Sequence, residues 1–367
     1  MRIERIELFK ANLPMKQPFR IAIGEVTVAD TLYVLIHTNE GLTGTGEANL
    51  FTPVVGETLA TAFAAAVDLA KLLIGTDPLN IEERVAAMRR FMPSQPTTRS
   101  AFDMALYDLA GKAADLPLYA LLGGPRREIT TDNTVGIDTT QAMVERALSF
   151  KDRGFPAVKV KVGTTAQQDV DRVCKIREAI GPETLIRIDA NQGWDRVSAV
   201  RALRAMEPYG VQYCEQPVPA WDLASMKDVR DKTAIPIMAD ESVFDEHDAF
   251  TLAAMRACDL LNIKLAKSGG IHVGLKINAV GEAAGMRCMV GCMTESRLGL
   301  TASAHLASSR PNIVFADLDG ADMLAADPIL GGMVYGEGGR IRLPDGPGLG
   351  ASVDPEYLET LESETIS

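Results

Sequence analysis

The chain has few aromatic residues, no excess of positive charge and no long apolar run. Aromatic residues make up 5% of its 367 residues, and 49 acidic side chains outnumber 37 basic ones, for a formal net charge of −12. This charge gives phosphodiester backbones and anionic lipid surfaces no positive field, which argues against nucleic acid and membranes as partners. No run approaches the roughly 18 apolar residues that span a bilayer, and the amino-terminal residues lack the apolar core of a signal peptide. We therefore expect a cytoplasmic protein.

Motifs that mark several enzyme classes are also missing. The five cysteines include no CxxC pair, which leaves little support for a disulfide framework or a zinc knuckle. The four histidines form no HExxH pattern, and the sequence contains neither a GxSxG elbow nor a Walker lysine motif. These absences argue against zinc sites of the HExxH type, serine hydrolysis and P-loop phosphate chemistry.

The length predicts one large domain and a smaller one, at roughly 100 to 200 residues per domain. Three alternating segments predict an antiparallel meander near the amino terminus, at residues 2–13, 31–37 and 41–48. Alanine-rich helical patterns follow between residues 57 and 115, and they end at Pro117 and the turn at 123–125. Residues 1–125 are therefore predicted to form an α+β domain.

Beyond residue 126, eight short apolar strands alternate with amphipathic helices. The predicted strands start near residues 129, 157, 184, 211, 235, 259, 287 and 312. Parallel strands need long crossovers and are buried on both faces, so this rhythm predicts an α/β structure, a parallel (β/α) barrel, over residues 126–320. An open doubly wound sheet is the main alternative, but it usually begins with a glycine-rich phosphate loop that is missing here. Residues 321–367 are expected to pack back on the first domain.

Acidic residues stand at the carboxyl ends of three neighbouring predicted strands, where such barrels place their active sites. Asp189, Glu215 and Asp240 are each about one β/α unit apart. Any one of them alone could merely cap the next helix. Three carboxylates at one point repel one another unless a cation lies among them, and Mg²⁺ prefers oxygen ligands. The spacing therefore predicts a magnesium site at the mouth of the barrel.

Two lysines flank these carboxylates. Lys161 ends the second barrel strand and Lys264 the sixth, so they lie on opposite sides of the predicted metal and can face the two sides of one carbon. Lysine holds its proton up to about pH 10.4, so a base role requires a lowered pKa. We expect Mg²⁺, the neighbouring Lys159 and desolvation to lower it.

Characteristic segments occur in a fixed order along the chain: KVKVG, IDANQGW, CEQP, MADES and NIKLAKSGGI, with GTGE in the first domain. Together they resemble the enolase superfamily, in its muconate-lactonizing-enzyme-like branch, over nearly the whole chain. The resemblance implies that the three carboxylates bind Mg²⁺, which stabilises the enolate of a bound substrate carboxylate. It also implies that Lys161 and Lys264 are the acid–base pair, that Lys159 steadies the substrate carboxylate, and that the first domain caps the barrel.

Asp317 and Asp319, at the end of the eighth predicted strand, help to distinguish between the enzymes of this branch. Residues two apart on a strand share a face, so both carboxylates can point into the site and attract a cation. By resemblance, such a DxD pair holds the α-ammonium of the substrate in dipeptide epimerases, whereas it would repel the extra carboxylates of muconate or N-succinylamino acids.

We therefore predict a dipeptide epimerase that inverts the α-carbon of the C-terminal residue of an L-Ala-L-X dipeptide by two-base proton transfer. An N-succinylamino acid racemase or a muconate-type cycloisomerase is the alternative, and a non-catalytic metal-binding scaffold is a third. The sequence does not specify the oligomeric state and leaves a homo-oligomer open.

Two glycine-containing loops of the first domain, residues 18–30 and 50–58, are expected to cover the barrel mouth. Their apolar residues would favour small or hydrophobic dipeptides: Phe19, Ile21, Ile23, Phe51 and Val54. In Ala-Glu epimerases, which the chain resembles, an arginine of the first loop grips the glutamate side chain. The matching position here is Gly24, which argues against that specificity, although Arg20 is close enough to substitute.

Three further residues are expected to contact the substrate. Cys292 and Thr294 follow the seventh predicted strand and would line the dipeptide backbone, and Thr134 lies in the first strand. The open alternatives are that Cys292 is a small apolar wall and that Thr134 belongs to the core.

Overall fold

The computed structural model describes all 367 residues, and its amino-terminal part is an antiparallel sheet with helices. The strands are β1 (Ile3–Ile21), β2 (Gly24–Thr38) and β3 (Thr43–Leu50). The helices are α1 (Thr52–Val55), α2 (Leu59–Leu73), α3 (Ile81–Phe91), α4 (Pro96–Ala113) and α5 (Leu118–Leu121). Strand β2 lies between β1 and β3, as the predicted meander requires.

The segment 18–30, predicted as a loop, is the tip of a long hairpin. Strands β1 and β2 continue past Pro14, so that Phe19 pairs with Val26 and Ile21 with Gly24. The alternating apolar residues of this segment suit extended strands, and only a short turn separates them. The second predicted loop, residues 50–58, contains the one-turn helix α1.

Residues 129–137, predicted as one strand, form two strands in different sheets. They are β4 (Ile129–Thr130), which pairs antiparallel with Arg340–Arg342, and β5 (Asn133–Val135), which runs parallel to Ala157–Lys161. Between them lies the buried carboxylate of Asp132, which accepts a hydrogen bond from Arg187 Nη1 at 2.8 Å. This buried pair belongs to the interior of the barrel and interrupts the strand.

The parallel strands lie side by side in chain order from β5 to β12. After β5 they are β6 (Ala157–Lys161), β7 (Leu185–Asp189), β8 (Val211–Glu215), β9 (Ile237–Ala239), β10 (Leu260–Ile263), β11 (Arg287–Val290) and β12 (Ile313–Ala316). The intervening helices are α6 (Thr140–Asp152), α7 (Ala166–Ile180), α8 (Arg196–Met206), α9 (Leu223–Lys232), α10 (Glu246–Met255), α11 (Leu265–Ser268), α12 (Ile271–Ala283) and α13 (Arg297–Ser309). The predicted fold class, an α+β domain followed by a β/α barrel, is confirmed. None of the helices combines the length and the apolar character needed to cross a membrane.

The last part of the chain returns to the first sheet. It contains α14 (Gly320–Met323), β13 (Ile329–Gly331), β14 (Val334–Tyr335), β15 (Arg340–Arg342), β16 (Ala351–Val353), α15 (Pro355–Leu358) and β17 (Glu362–Ile366). Strand β17 pairs antiparallel with β1, with Ile366 opposite Ile6. The first sheet therefore has the order β17-β1-β2-β3.

Strand β3 and helix α4 approach each other closely enough to require glycine. A Cβ atom on Gly46 would lie 1.8 Å from the backbone oxygen of Ala101, and one on Gly44 would lie 2.2 Å from that of Ala105. Glycine inside a strand often marks such an approach of two backbones. The next residues along β3, Glu47 and Asn49, reach the barrel, so this packing also sets their position.

Gly46→Ala should lower the free energy of unfolding by about 1–3 kcal/mol, because the new methyl group forces β3 away from α4. Gly346→Ala is the matched control, since its Cβ would meet no atom closer than 3.8 Å. Denaturant-induced unfolding of both variants measures the difference. Equal stability of the two would show that β3 does not pack on α4 this closely.

Candidate active site

A cavity of about 50 Å³ lies between the barrel mouth and the first domain. The first domain supplies apolar side chains, from Phe19, Ile21, Val26, Phe51 and Val54. The barrel supplies mainly polar ones, from Lys161, Asn191, Asp240, Lys264, Cys292, Met293 and Thr294. Both covering segments predicted from the sequence therefore line this cavity, although Ile23 is not among the lining residues.

The three predicted metal ligands lie on neighbouring strands. Asp189 ends β7, Glu215 ends β8 directly opposite it, and Asp240 follows β9. All three side chains are buried. Burial and the charge of Asp189 raise the pKa of Glu215 to about 7. Burial also acts to raise the pKa of Asp240, but the ammonium groups of Lys264 and Lys267 outweigh it and hold that pKa well below its usual range.

The chemistry of these donors fits a hard divalent cation. All three ligands offer carboxylate oxygens, the donors that Mg²⁺ prefers. Asn191 Oδ1 is a buried oxygen that accepts no hydrogen bond, whereas Asp240 Oδ1 lies 3.4 Å from Lys267 Nζ. Buried polar atoms normally have partners, so Asn191 Oδ1 is available to a cation or to its ligands, and a cation would compete with Lys267 for Asp240 Oδ1.

The two predicted acid–base lysines flank the carboxylates on opposite sides. Lys161 Nζ lies 2.6 Å from Asp189 Oδ2, and Lys264 Nζ lies 2.8 Å from Asp240 Oδ2. Both side chains line the cavity. Lys161 ends β6 and Lys264 directly follows β10, and strands β7, β8 and β9 lie between these two strands in the sheet.

The lowering of lysine pKa values, predicted for a site that holds Mg²⁺, stays a prediction. Burial lowers the pKa of Lys264, but the carboxylates of Asp240 and Glu215 outweigh burial and raise it well above its ordinary value. A cation held by these carboxylates would offset their negative charge. Burial alone would act in the predicted direction.

Lys159 lies at the centre of the charged cluster. Only 1% of this residue is exposed, and its Nζ lies 3.2 Å from Asp189 Oδ2, 2.8 Å from Glu215 Oε2 and 2.6 Å from Asp317 Oδ2. It is not among the residues that line the cavity, so its expected contact with the substrate carboxylate stays a prediction. These carboxylates outweigh its burial and raise the pKa of Lys159 well above its ordinary value.

Asp317 and Asp319 come together, but not on one face of a strand. Strand β12 ends at Ala316, and Asp319 has α-helical backbone angles, so a turn rather than strand alternation brings the pair inward. Both are buried, and their carboxylates lie within 4.8 Å of each other and of Cys292 Sγ. Burial and the charge of Asp317 raise the pKa of Asp319 to about 7. Neither aspartate lines the cavity itself, whereas Cys292 does.

The remaining predicted contacts divide between two cavities. Cys292 and Thr294 line the cavity that contains the lysines. Thr134 instead lines a neighbouring cavity of about 470 Å³, and its backbone N–H donates to Asp319 Oδ2 at 2.7 Å. The structure therefore assigns Thr134 a contact that orients Asp319.

Two asparagines of the site were missed in the sequence. The backbone N–H of Asn191 donates to Asp189 Oδ1 at 2.9 Å, and Asn262 Nδ2 donates to Glu215 Oε1 at 2.9 Å. Asn262 precedes Lys264 by two positions and Asn191 follows Asp189 by two. Asn262 and Lys264 lie two apart in extended backbone and share a face, so alternation could have identified Asn262. Asn191 lies beyond the end of β7 with a positive φ, so alternation could not have identified it.

Comparison with known proteins gives matches along the whole chain. The family described as "Mandelate racemase / muconate lactonizing enzyme, N-terminal domain" matches residues 4–123, and "Enolase C-terminal domain-like" matches residues 142–357. The D-Ala-D/L-Ala epimerase of Cytophaga hutchinsonii is 43% identical over the full length of both chains. The hydrophobic dipeptide epimerase of Enterococcus faecalis is 41% identical, over 96% of this chain and all of its own.

A solved structure is similar over the full length. It is the dipeptide epimerase from Cytophaga hutchinsonii complexed with Mg and the dipeptide D-Ala-L-Val, with a TM-score of 0.99, 43% identity and complete coverage of both chains.

Removing a ligand carboxylate should weaken Mg²⁺ binding, whereas removing a competing lysine should not. Glu215→Gln should lower the affinity by more than about tenfold, since even partners of metal ligands contribute that much. Lys161→Ala should bind Mg²⁺ at least as tightly as the unmodified protein, because Lys161 competes for Asp189. Calorimetric titration of chelator-treated protein measures both, and unchanged affinity in Glu215→Gln would contradict the site.

Proposed function

Since the chain belongs to the mandelate racemase and muconate lactonizing enzyme group of the enolase superfamily, we propose that it is a Mg²⁺-dependent dipeptide epimerase. It inverts the α-carbon of the C-terminal residue of a dipeptide. The observation that carries this proposal is the pair of cavity lysines on opposite sides of three buried carboxylates. The names of the similar proteins, epimerases of dipeptides, support it further.

The carboxylates of Asp189, Glu215 and Asp240 would hold the metal. When bound, Mg²⁺ supplies positive charge that offsets the negative charge developing on the substrate carboxylate. Asn262 and the backbone of Asn191 orient two of these ligands through their hydrogen bonds. Lys159 holds Asp189 and Glu215 together from the buried side.

The two cavity lysines carry out the proton transfer. Lys161 and Lys264 approach the α-carbon from opposite faces, so one removes the α-proton and the other returns a proton to the other face. Lys264 can act as a base once the negative charge of Asp240 and Glu215 is offset, because burial then lowers its pKa. Exchanging the two roles allows reaction in both directions, as epimerisation requires.

Asp319 is the proposed partner of the substrate α-ammonium. Asp317 is already paired with Lys159, whereas Asp319 Oδ1 has only the Cys292 thiol nearby, at 3.9 Å. A buried carboxylate with a raised pKa gains stabilisation when a cation binds beside it. Thr134 holds the other oxygen of Asp319, and Oδ1 lies beside Cys292, which lines the cavity.

The cavity walls favour dipeptides with uncharged, aliphatic side chains. Lys161, Asp240 and Lys264 are the charged lining residues, and all three belong to the reacting centre. Gly24 has no side chain to offer, and Arg20 pairs with Glu25 on the exposed hairpin instead of lining the cavity. No lining residue outside the reacting centre is therefore available to form an ion pair with a glutamate or lysine side chain.

Incubating the protein with a mixed-dipeptide library in D₂O tests the proposal. We expect Mg²⁺-dependent deuterium incorporation at the α-carbon of the C-terminal residue, faster for Ala-Ala and Ala-Val than for Ala-Glu. Mass spectrometry measures the incorporation, and chelator-treated protein is the control. Exchange confined to N-acylated amino acids would favour the N-succinylamino acid racemase, and no exchange at all would favour the non-catalytic scaffold.

Asp319→Asn should lower kcat/KM for free dipeptides by roughly tenfold to a hundredfold, because it removes a charge-assisted hydrogen bond worth about 1.5–3 kcal/mol. N-acetylated dipeptides, which lack the cation, should already be poor substrates, and the variant should narrow that gap. Asp322→Asn is the matched control, since Asp322 lies on the same segment but pairs with Arg153. If the unmodified protein turns over N-acetyl and free dipeptides equally well, Asp319 does not bind an ammonium group.

A further inference from the structure

One segment of the cavity wall is held by the first domain rather than by the barrel alone. Residues 291–296, which we call the wall loop, connect β11 to α13. Three of its side chains line the cavity, those of Cys292, Met293 and Thr294. The position of this loop therefore sets the space available to a substrate side chain.

Asn49, on strand β3, forms hydrogen bonds with both the backbone N–H and the backbone oxygen of Thr294, in the middle of the wall loop. Its Oδ1 accepts hydrogen bonds from the backbone N–H of Thr294 at 3.1 Å and from the Thr294 hydroxyl at 3.0 Å. Its Nδ2 donates to the backbone oxygen of Thr294 at 3.1 Å and to the hydroxyl of Thr31 at 3.3 Å. Asn49 is fully buried, so water cannot replace these bonds without cost.

Glu47, two residues earlier on β3, binds the end of the wall loop and the start of α13. Its Oε1 accepts the backbone N–H of Ser296 at 2.9 Å, and its Oε2 accepts the Ser296 hydroxyl at 2.7 Å and the N–H of Gly299 at 2.8 Å. A carboxylate at the first turn of a helix satisfies N–H groups that the helix itself cannot. Glu47 is also fully buried, so this contact joins β3 to the barrel away from water.

Residues two apart on a strand share a face, so Glu47 and Asn49 form one unit that points from β3 toward the wall loop. The close packing of β3 on α4 at Gly44 and Gly46 fixes the position of this unit in the first domain. The hydrogen bonds of Asn49 then fix the backbone on both sides of the Thr294 Cα atom. A shift of β3 would move the cavity wall with it.

We propose that Glu47 and Asn49 are positioning residues that hold the wall loop at the cavity, so that side-chain selectivity depends on the contact between strand β3 and the barrel. This inference rests on the proposed dipeptide epimerase function. Misplacement of a reacting group by about 1 Å can lower turnover a hundredfold, so loss of this contact affects kcat as well as binding.

Four variants separate a positioning role from a purely structural one. Asn49→Leu fills a similar volume but makes none of the hydrogen bonds, whereas Asn49→Asp keeps the acceptors for Thr294. Asp103→Asn is the matched control, because Asp103 is a buried carboxylate of α4 that accepts the backbone N–H groups of Ile271 and His272 and makes no hydrogen bond to β3 or to the wall loop. Glu47→Gln probes the second contact and replaces Asn49→Leu if that variant does not fold.

The readouts are amide hydrogen exchange of peptides covering 291–296, followed by mass spectrometry, and kcat and KM for Ala-Ala and Ala-Leu. In Asn49→Leu we expect exchange in the wall loop to rise at least tenfold, kcat to fall by about tenfold or more, and the ratio of kcat/KM between the two dipeptides to change by about tenfold. Asn49→Asp should recover part of each loss. Asp103→Asn should lower thermal stability without changing wall-loop exchange or the selectivity ratio.

The inference is overturned if Asn49→Leu leaves wall-loop exchange unchanged, or if the selectivity ratio changes as much in Asp103→Asn as in Asn49→Leu. The exchange measurement needs no substrate. If the unmodified protein acts on no dipeptide, the proposed function fails while amide exchange still decides whether Asn49 holds the wall loop.

Discussion

The pairing of Lys159 with three carboxylates is the interaction on which the rest of the site depends. A charge buried to this degree costs several kcal/mol unless it is fully paired. Its partners come from β7, β8 and the turn after β12, so the barrel must bring these elements to one point in register. Removing Lys159 would leave three buried carboxylates without the ammonium group that joins them, so Lys159 both constrains the fold and holds the candidate active site together.

The first domain completes the site in two ways. Its hairpin and α1 cover the charged residues with apolar side chains, which exclude water and strengthen every electrostatic interaction beneath them. Its strand β3 holds the wall loop through Glu47 and Asn49. In the proposed function, the barrel thus supplies the reacting groups. The first domain supplies the apolar surroundings and helps to set the shape of the cavity.

Much of the site could be predicted from the sequence because a β/α repeat brings every strand end to the same mouth. The spacing of Asp189, Glu215 and Asp240 along the sequence therefore predicted that their side chains lie close together. The turn at Asp319 and the break before β5 could not be predicted this way, because they depend on contacts with Thr134 and Arg187 that no local pattern reveals. The contact between Asn49 and Thr294 joins positions 245 residues apart, and the raised pKa of Lys264 arises from carboxylates on other strands.

The central claim, that Lys161 and Lys264 serve opposite faces of one carbon, is tested most directly by solvent deuterium exchange in single-lysine variants. Each variant is given the two C-terminal epimers of one dipeptide separately. The account predicts that Lys161→Ala loses exchange from one epimer by roughly 10²- to 10⁴-fold and far less from the other, and that Lys264→Ala shows the mirror preference. Full epimerisation retained in either variant would contradict it.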